Sequence, residues 1–140
     1  MQTCTRVLEF DAAHRVPRHG GKCSTLHGHR YKVEITCAAP SLDVVGVVID
    51  FGSVKSVVGG WIDQHLDHTT IVQATDAGLL AFCEHEAAAL GKRPPFVMVE
   101  PPTAENLATL LLAQARDLLA PMNVVAARVW ETPNCYADAV

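Results

Sequence analysis

The sequence predicts an α+β protein built on an antiparallel sheet, and two patterns predict it. Apolar and polar residues alternate over residues 6–14, 26–38 and 124–132, the period of strands with one buried face. Between them, at residues 53–65 and 104–119, apolar residues take helical spacing. Strands and helices are segregated along the chain, which points to α+β.

In the first strand, Leu8, Phe10, Ala12 and His14 share one face, and Val7, Glu9, Asp11 and Ala13 the other. Residues 16–25 form a loop marked by Pro17, Gly20 and Gly21. The second strand puts His27, His29, Tyr31, Val33, Ile35 and Cys37 on one face. A turn at residues 40–43 leads to a short apolar strand expected at 44–50. The helix at 53–65 is carried by Val54, Val57, Val58, Trp61 and Ile62, and is weakened by Gly59 and Gly60 at roughly 1 kcal/mol each. Residues 69–101 are the least legible. A helix is expected at 77–90, capped by Asp76 and stopped by Gly91, then a short strand at 96–99. The helix at 104–119 has Thr103 as N-cap, Glu105 in its first turn and a leucine stripe. Glu131 ends the last strand, in phase with Val125, Ala127 and Val129.

With 140 residues and 49% hydrophobic content, the chain has the size and apolar material of one domain, residues 1–140. The net charge is −4 and there is no basic block, so nucleic acid is not an expected partner. No apolar run is long enough to span a bilayer, which argues against a membrane partner. The first residues show no charged segment followed by an apolar one, so no secretory signal is read and a cytoplasmic location is expected. The five cysteines are scattered and odd in number, which suits reduced thiols in that compartment.

Four groups carry chemistry. His14, His27 and His29 fall at the ends of two apolar strand faces, and three imidazoles without a fourth protein ligand suit an open, catalytic zinc site. The same histidines would also fit an ordinary hydrogen-bonded strand pair. Cys23 sits in a Gly/Lys/Ser/Thr loop, a setting that favours reactivity over packing, although an exposed thiol without a role has the same pattern. Asp67 and His68 have the composition of an oriented acid/base pair, or of a helix end whose histidine suits the dipole. Glu131 needs a partner if buried, such as the N–H edge of a pterin-like group, and none if it lies just past the core. His19, His65 and His85 read as structural.

Six short blocks then occur in a recognisable order. They are Phe10-Asp11-Ala12-Ala13-His14-Arg15, Cys23 with His27-Gly28-His29, Val48-Ile49-Asp50-Phe51, Leu66-Asp67-His68, Pro102-Thr103-Ala104-Glu105-Asn106 and Glu131-Thr132. In these blocks the chain resembles the 6-pyruvoyltetrahydropterin synthase / 6-carboxytetrahydropterin synthase family, over residues 6–136. The three residues between Cys23 and His27 resemble the bacterial carboxy-forming branch of 7-deazaguanine (queuosine) biosynthesis; a folate-pathway branch has glutamate in place of Cys23. One departure is the segment 69–101, longer than a compact member would carry.

The resemblance implies a tunnelling fold, with helices on one face of the sheet and subunits joined into an oligomeric barrel. It implies a homo-oligomer built from trimers, with sites between subunits where Cys23 and His68 could meet. It implies Zn2+ on His14, His27 and His29 as Lewis acid, Cys23 as base, Asp67 and His68 as proton relay, and Glu131 as pterin anchor. The implied reaction turns 7,8-dihydroneopterin triphosphate into 6-carboxy-5,6,7,8-tetrahydropterin, acetaldehyde and triphosphate. Pyruvoyl formation and side-chain aldolase activity are the alternatives. Arg15, Arg18, Lys22, Arg30 and Lys32 are the candidate partners of the triphosphate.

Overall fold

The computed structural model describes residues 1–140. Two long strands, β1 (Gln2–His14) and β2 (His27–Ala39), pair antiparallel along their whole length, with His14 opposite His27 and Ala12 opposite His29. The alternation read from sequence is the alternation of burial: Leu8, Phe10, Ala12 and His14 from β1 and Tyr31, Val33, Ile35 and Cys37 from β2 are buried. Phe10 and Tyr31 stack across the pair with ring centroids 4.9 Å apart, a cross-strand contact that favours this register.

The expected strand at 44–50 does not form. The Asp43 carboxylate instead accepts from the backbone N–H of Val45 (2.9 Å) and Val47 (3.0 Å), and Gly46 takes a positive φ of 85°. An aspartate bonding its own following backbone makes a turn out of an apolar run. Val44 is left fully exposed, at 103%. Asp50 then caps the next helix through the Gly52 N–H. That helix runs as α1 (Phe51–Val54), a π-helical turn (Lys55–Gly59) and α2 (Gly60–His65). Gly59 lies against β1, where an added Cβ would come within 3.3 Å of Leu8 Cδ2. The glycine that weakens the helix therefore lets it approach the sheet closely.

The remaining elements are β3 (Thr69–Gln73), α3 (Ala77–Leu90), β4 (Phe96–Met98), α4 (Ala104–Leu118), β5 (Asn123–Thr132) and β6 (Cys135–Ala139). The sheet order is β4-β3-β1-β2-β5-β6. The antiparallel expectation holds from β1 through β6 and fails at the other edge, where β3 runs parallel to β1 and β4 parallel to β3. The sheet is mixed because a parallel pair needs a crossover, and α3 supplies it between β3 and β4. The bulge between Thr36 and Cys37 shifts the β5 register, so Val124 is buried where Val125 was expected.

The main core lies on one face of the sheet. There Val54, Val58, Ile62 and Leu66 meet Leu107, Leu111 and Ala115 of α4 over Phe10, Tyr31 and Val33. Leu79 of α3 and Val72 of β3 are buried outside that cluster. Asp76 caps α3 by accepting from the Leu79 N–H, and its two oxygens take Arg15 Nε and Nη2, each at 2.7 Å. Gly91 ends α3 in the left-handed conformation. Asp76→Ala removes the cap and leaves Arg15 unpaired. It is expected to lower stability by about 2 kcal/mol, read from urea unfolding. A change under about 0.5 kcal/mol would count against this capping role.

Candidate metal centre and active site

The β1–β2 register brings three imidazoles together. The ligand atoms of His14, His27 and His29 lie within 4.8 Å of one another, and His27 Nε2 is 3.0 Å from His29 Nε2. Two rings are oriented from behind. His14 Nδ1–H donates to the Pro102 carbonyl and His27 Nδ1–H to the Thr25 carbonyl, each at 2.6 Å. A proton held on Nδ1 leaves the Nε2 lone pair free, the arrangement metal-binding imidazoles use. His14 is 1% exposed, yet its Nε2 is buried without a hydrogen-bond partner. Such an orphan is uncommon in a folded core. Three lone pairs converging on one point, one of them unsatisfied, fit a metal ion with an open position.

The electrostatics agree. Burial, with the neighbouring His27 and His29 adding to it, lowers the His14 pKa to about 4 despite the Pro102 bond. Burial and His27 lower that of His29. Glu131 Oε1 lies 3.6 Å from His14 Nε2. Its own carboxyl is pushed up by burial and by the Glu105 carboxylate, with His27 pulling the other way. Tyr31, wholly buried, packs edge-on against both His14 and His29.

Cys23 stands in a 3-10 turn, Lys22–Ser24, within the loop between β1 and β2. It lines a cavity of about 290 Å³ together with His14, His19, Glu105, Glu131 and Tyr136. One histidine of the cluster, His14, thus shares a cavity with the thiol and the acid. Glu105, in the sequence a dipole-matching acid and part of the Pro102–Asn106 block, is here a wall of the cavity. Its place after the Thr103 cap, in the first turn of α4, was the available signal.

Asp67 and His68 do face each other. His68 Nδ1–H donates to Asp67 Oδ2 at 2.8 Å, and Asp67 Oδ1 accepts the Asp11 N–H at 2.9 Å. His68 has a φ of 54°, which turns its ring back onto the preceding residue. Burial pushes the Asp67 carboxyl up. The Asp11 amide, His68 and Arg93 outweigh that effect and hold it below the usual range. This dyad does not line the cavity of Cys23. His68, 78% exposed on its side chain, borders a second cavity of about 630 Å³ walled by Asp11, Ala13, His29, Thr70, Phe82 and Cys83, so His29 links it to the histidine cluster. Asp11, Asp67 and His68 also cluster closely enough for a cation, but Arg30 Nη1 already occupies Asp11 Oδ2. The contacts of Asp11 and Arg93 with the dyad are not legible in the sequence, because main-chain bonds and a distant guanidinium leave no local pattern.

Of the histidines read as structural, His65 stacks on Trp61 and donates to its carbonyl, and His19 Nδ1 accepts the Gly21 N–H.

A family model described as 6-pyruvoyl tetrahydropterin synthase matches residues 3–140. The chain belongs to this family. A Rickettsia conorii protein named 6-carboxy-5,6,7,8-tetrahydropterin synthase is 40% identical over 99% of both chains. A Rickettsia bellii protein of the same name is 38% identical over 99% of both. Because both are matched end to end, the long segment 69–101 does not set this chain apart from them. Among solved structures, an uncharacterised Wolinella succinogenes protein superposes with a TM-score of 0.82 at 23% identity, covering 99% of this chain and 97% of that one. Caenorhabditis elegans 6-pyruvoyl tetrahydropterin synthase does so with 0.70 at 19% identity, covering 99% and 94%. These structural likenesses establish the tunnelling fold, an α+β class in which the mixed sheet described above carries helices on one face. No helix is long and apolar enough to cross a membrane.

The joint variant His27→Ala/His29→Ala is expected to abolish metal content by elemental analysis; full occupancy would rule out this ligand set. The metal-free protein should lose stability as pH falls from 6.5 to about 4. Over that range unfolded His14 binds a proton that native His14 refuses, so protonation favours the unfolded chain. Equal unfolding free energies at about pH 7 and about pH 5 in chelator-treated protein would contradict this.

Proposed function

We propose that the chain is a zinc-dependent lyase. It converts 7,8-dihydroneopterin triphosphate into 6-carboxy-5,6,7,8-tetrahydropterin, acetaldehyde and triphosphate, in the cytoplasm, as a step toward 7-deazaguanines. The observation that carries this reading is the single cavity shared by His14, Cys23 and Glu131. The names of the Rickettsia relatives support it.

His14, His27 and His29 would hold the zinc, which when bound supplies Lewis acidity toward side-chain oxygens of the substrate. Cys23 stands close by in the same cavity, placed to take a proton from the side chain as its thiolate. Glu131 is short of hydrogen-bond partners and half-buried. The N–H edge of a pterin would give its two oxygens a bidentate donor pair and offset its burial. Asp67 fixes the Nδ1–H tautomer of His68, leaving Nε2 free to accept or return a proton. Because Cys23 and His68 border different cavities of one copy, the reading requires a homo-oligomer in which one subunit's thiol meets another's dyad.

The structure narrows the candidates for the triphosphate. Arg15 is committed to Asp76, Arg30 to Glu9 and Asp11, and Lys32 to Glu34. Arg18 and Lys22 make no ion pair and lie on the same loop as Cys23, so they are the cations free to meet the anionic tail.

Incubation with 7,8-dihydroneopterin triphosphate should release acetaldehyde; a pyruvoyl product without it would replace this reading with pyruvoyl synthase activity. Cys23→Ala should cut turnover by about 100-fold or more with zinc retained. Unchanged product formation would remove Cys23 from the role of base, and no product from the wild-type protein would reduce the chain to a zinc-stabilised binding module. Arg18→Ala/Lys22→Ala should raise KM with little change in kcat; an unchanged KM would remove both from the tail site.

A further inference from the structure

The segment between the dyad and α4 has no task in this chemistry, yet one of its side chains reaches back to the dyad. Arg93 follows α3 and lies 26 residues from Asp67 in sequence. Its guanidinium faces the C-terminal end of α2. Nη1 donates to the Asp63 carbonyl at 2.9 Å and to the Gln64 carbonyl, and Nη2 donates to the Asp67 carbonyl. A cation there satisfies carbonyls the helix end leaves open and complements its dipole.

The third contact has a separate consequence. The Asp67 carbonyl and the His68 N–H belong to one peptide unit. The N–H end of that unit donates to the Asp11 carbonyl at 2.7 Å, and the carbonyl end accepts from Arg93. The peptide that joins the dyad is therefore held at both ends. Its orientation determines ψ of Asp67 and φ of His68, and the latter is the chain's only positive φ at a non-glycine residue. That conformation is unfavourable for a residue with a Cβ and persists where its surroundings over-determine it. Without a hold on its carbonyl oxygen this peptide could turn and relax the φ, and His68 would lose the fixed backbone from which its ring meets Asp67.

We propose that Arg93 is a positioning residue: by clamping the Asp67–His68 peptide, it locks His68 on Asp67 in the orientation proton transfer needs. This rests on the proton-relay role given to the dyad above, and it gives segment 69–101 a task in the active site.

The test uses the zinc-loaded, assembled protein and the variants Arg93→Gln and Arg93→Lys. In Arg93→Gln, kcat should fall about 10- to 100-fold, as expected for a misplaced catalytic group, with KM within about twofold and zinc content unchanged. The nitrogen NMR signature of a fixed His68 Nδ1–H tautomer should give way to a tautomer mixture. Arg93→Lys should restore part of both, since an ammonium reaches some of these carbonyls without the planar fork. It also serves as the probe if Arg93→Gln fails to fold. An unchanged His68 signature overturns the proposal, whether or not kcat falls, because a purely structural cap would leave the tautomer alone. The spectroscopic arm stands apart from the function reading. If the wild-type protein makes no acetaldehyde, that reading fails, while loss of the His68 signature in Arg93→Gln still upholds the clamp.

Discussion

The hydrogen bonds from Nδ1 of His14 and His27 to main-chain carbonyls are the constraint on which the rest of the site depends. Each fixes a tautomer and a ring plane, and together they aim lone pairs at one point. Neither bond is local to the metal cluster's own strands. The Thr25 carbonyl belongs to the loop that carries Cys23. The Pro102 carbonyl stands just before Thr103, the cap of α4, so it sits where the packing of α4 on the sheet puts it. The cross-strand register is the second requirement. A slip of one residue between β1 and β2 would turn His27 and His29 away from His14 and strip the core face at once. Core packing and metal-site geometry thus demand the same register.

Much of this was legible in the sequence because it follows short periods. The alternation from Leu8 to His14 and from His27 to Cys37 gave the strand faces, the core and the convergence of the imidazoles. The caps Asp76, Gly91 and Thr103 gave two helices with bounds within a residue. What escaped depends on partners distant in sequence. Val44 to Asp50 looks like a strand until Asp43 bonds the backbone beyond it. The β-branched run at Thr69 to Val72 is a strand, but that it lies parallel to β1 follows from where the helix before it lands. The β6 residues Cys135 to Ala139 have weak strand character and pair only because β5 is beside them.

The candidate site divides in the same way. The residue types of the metal cluster, thiol, acid and dyad were readable in six short blocks. Their allocation to two cavities was not, because it depends on which face of β1 each element covers. His14 points toward the core and the cavity of Cys23. Asp11 and Ala13 point toward the dyad's cavity and α3. Under the proposed function, a thiol and a dyad that border different cavities would meet only on assembly. This would also explain why a solvent-facing histidine is held so firmly: Asp11 bonds both dyad residues, and Arg93 secures the peptide between them.

The central claim is the proposed division of labour: three imidazoles would hold the metal, and Cys23 would stay off it as a base. X-ray absorption at the zinc edge of the purified, metal-loaded protein tests this most directly. The account predicts three imidazole nitrogens at roughly 2.0–2.1 Å with the remaining position filled by oxygen, and no sulfur. A zinc–sulfur distance near about 2.3 Å, or fewer than three imidazoles, would contradict it.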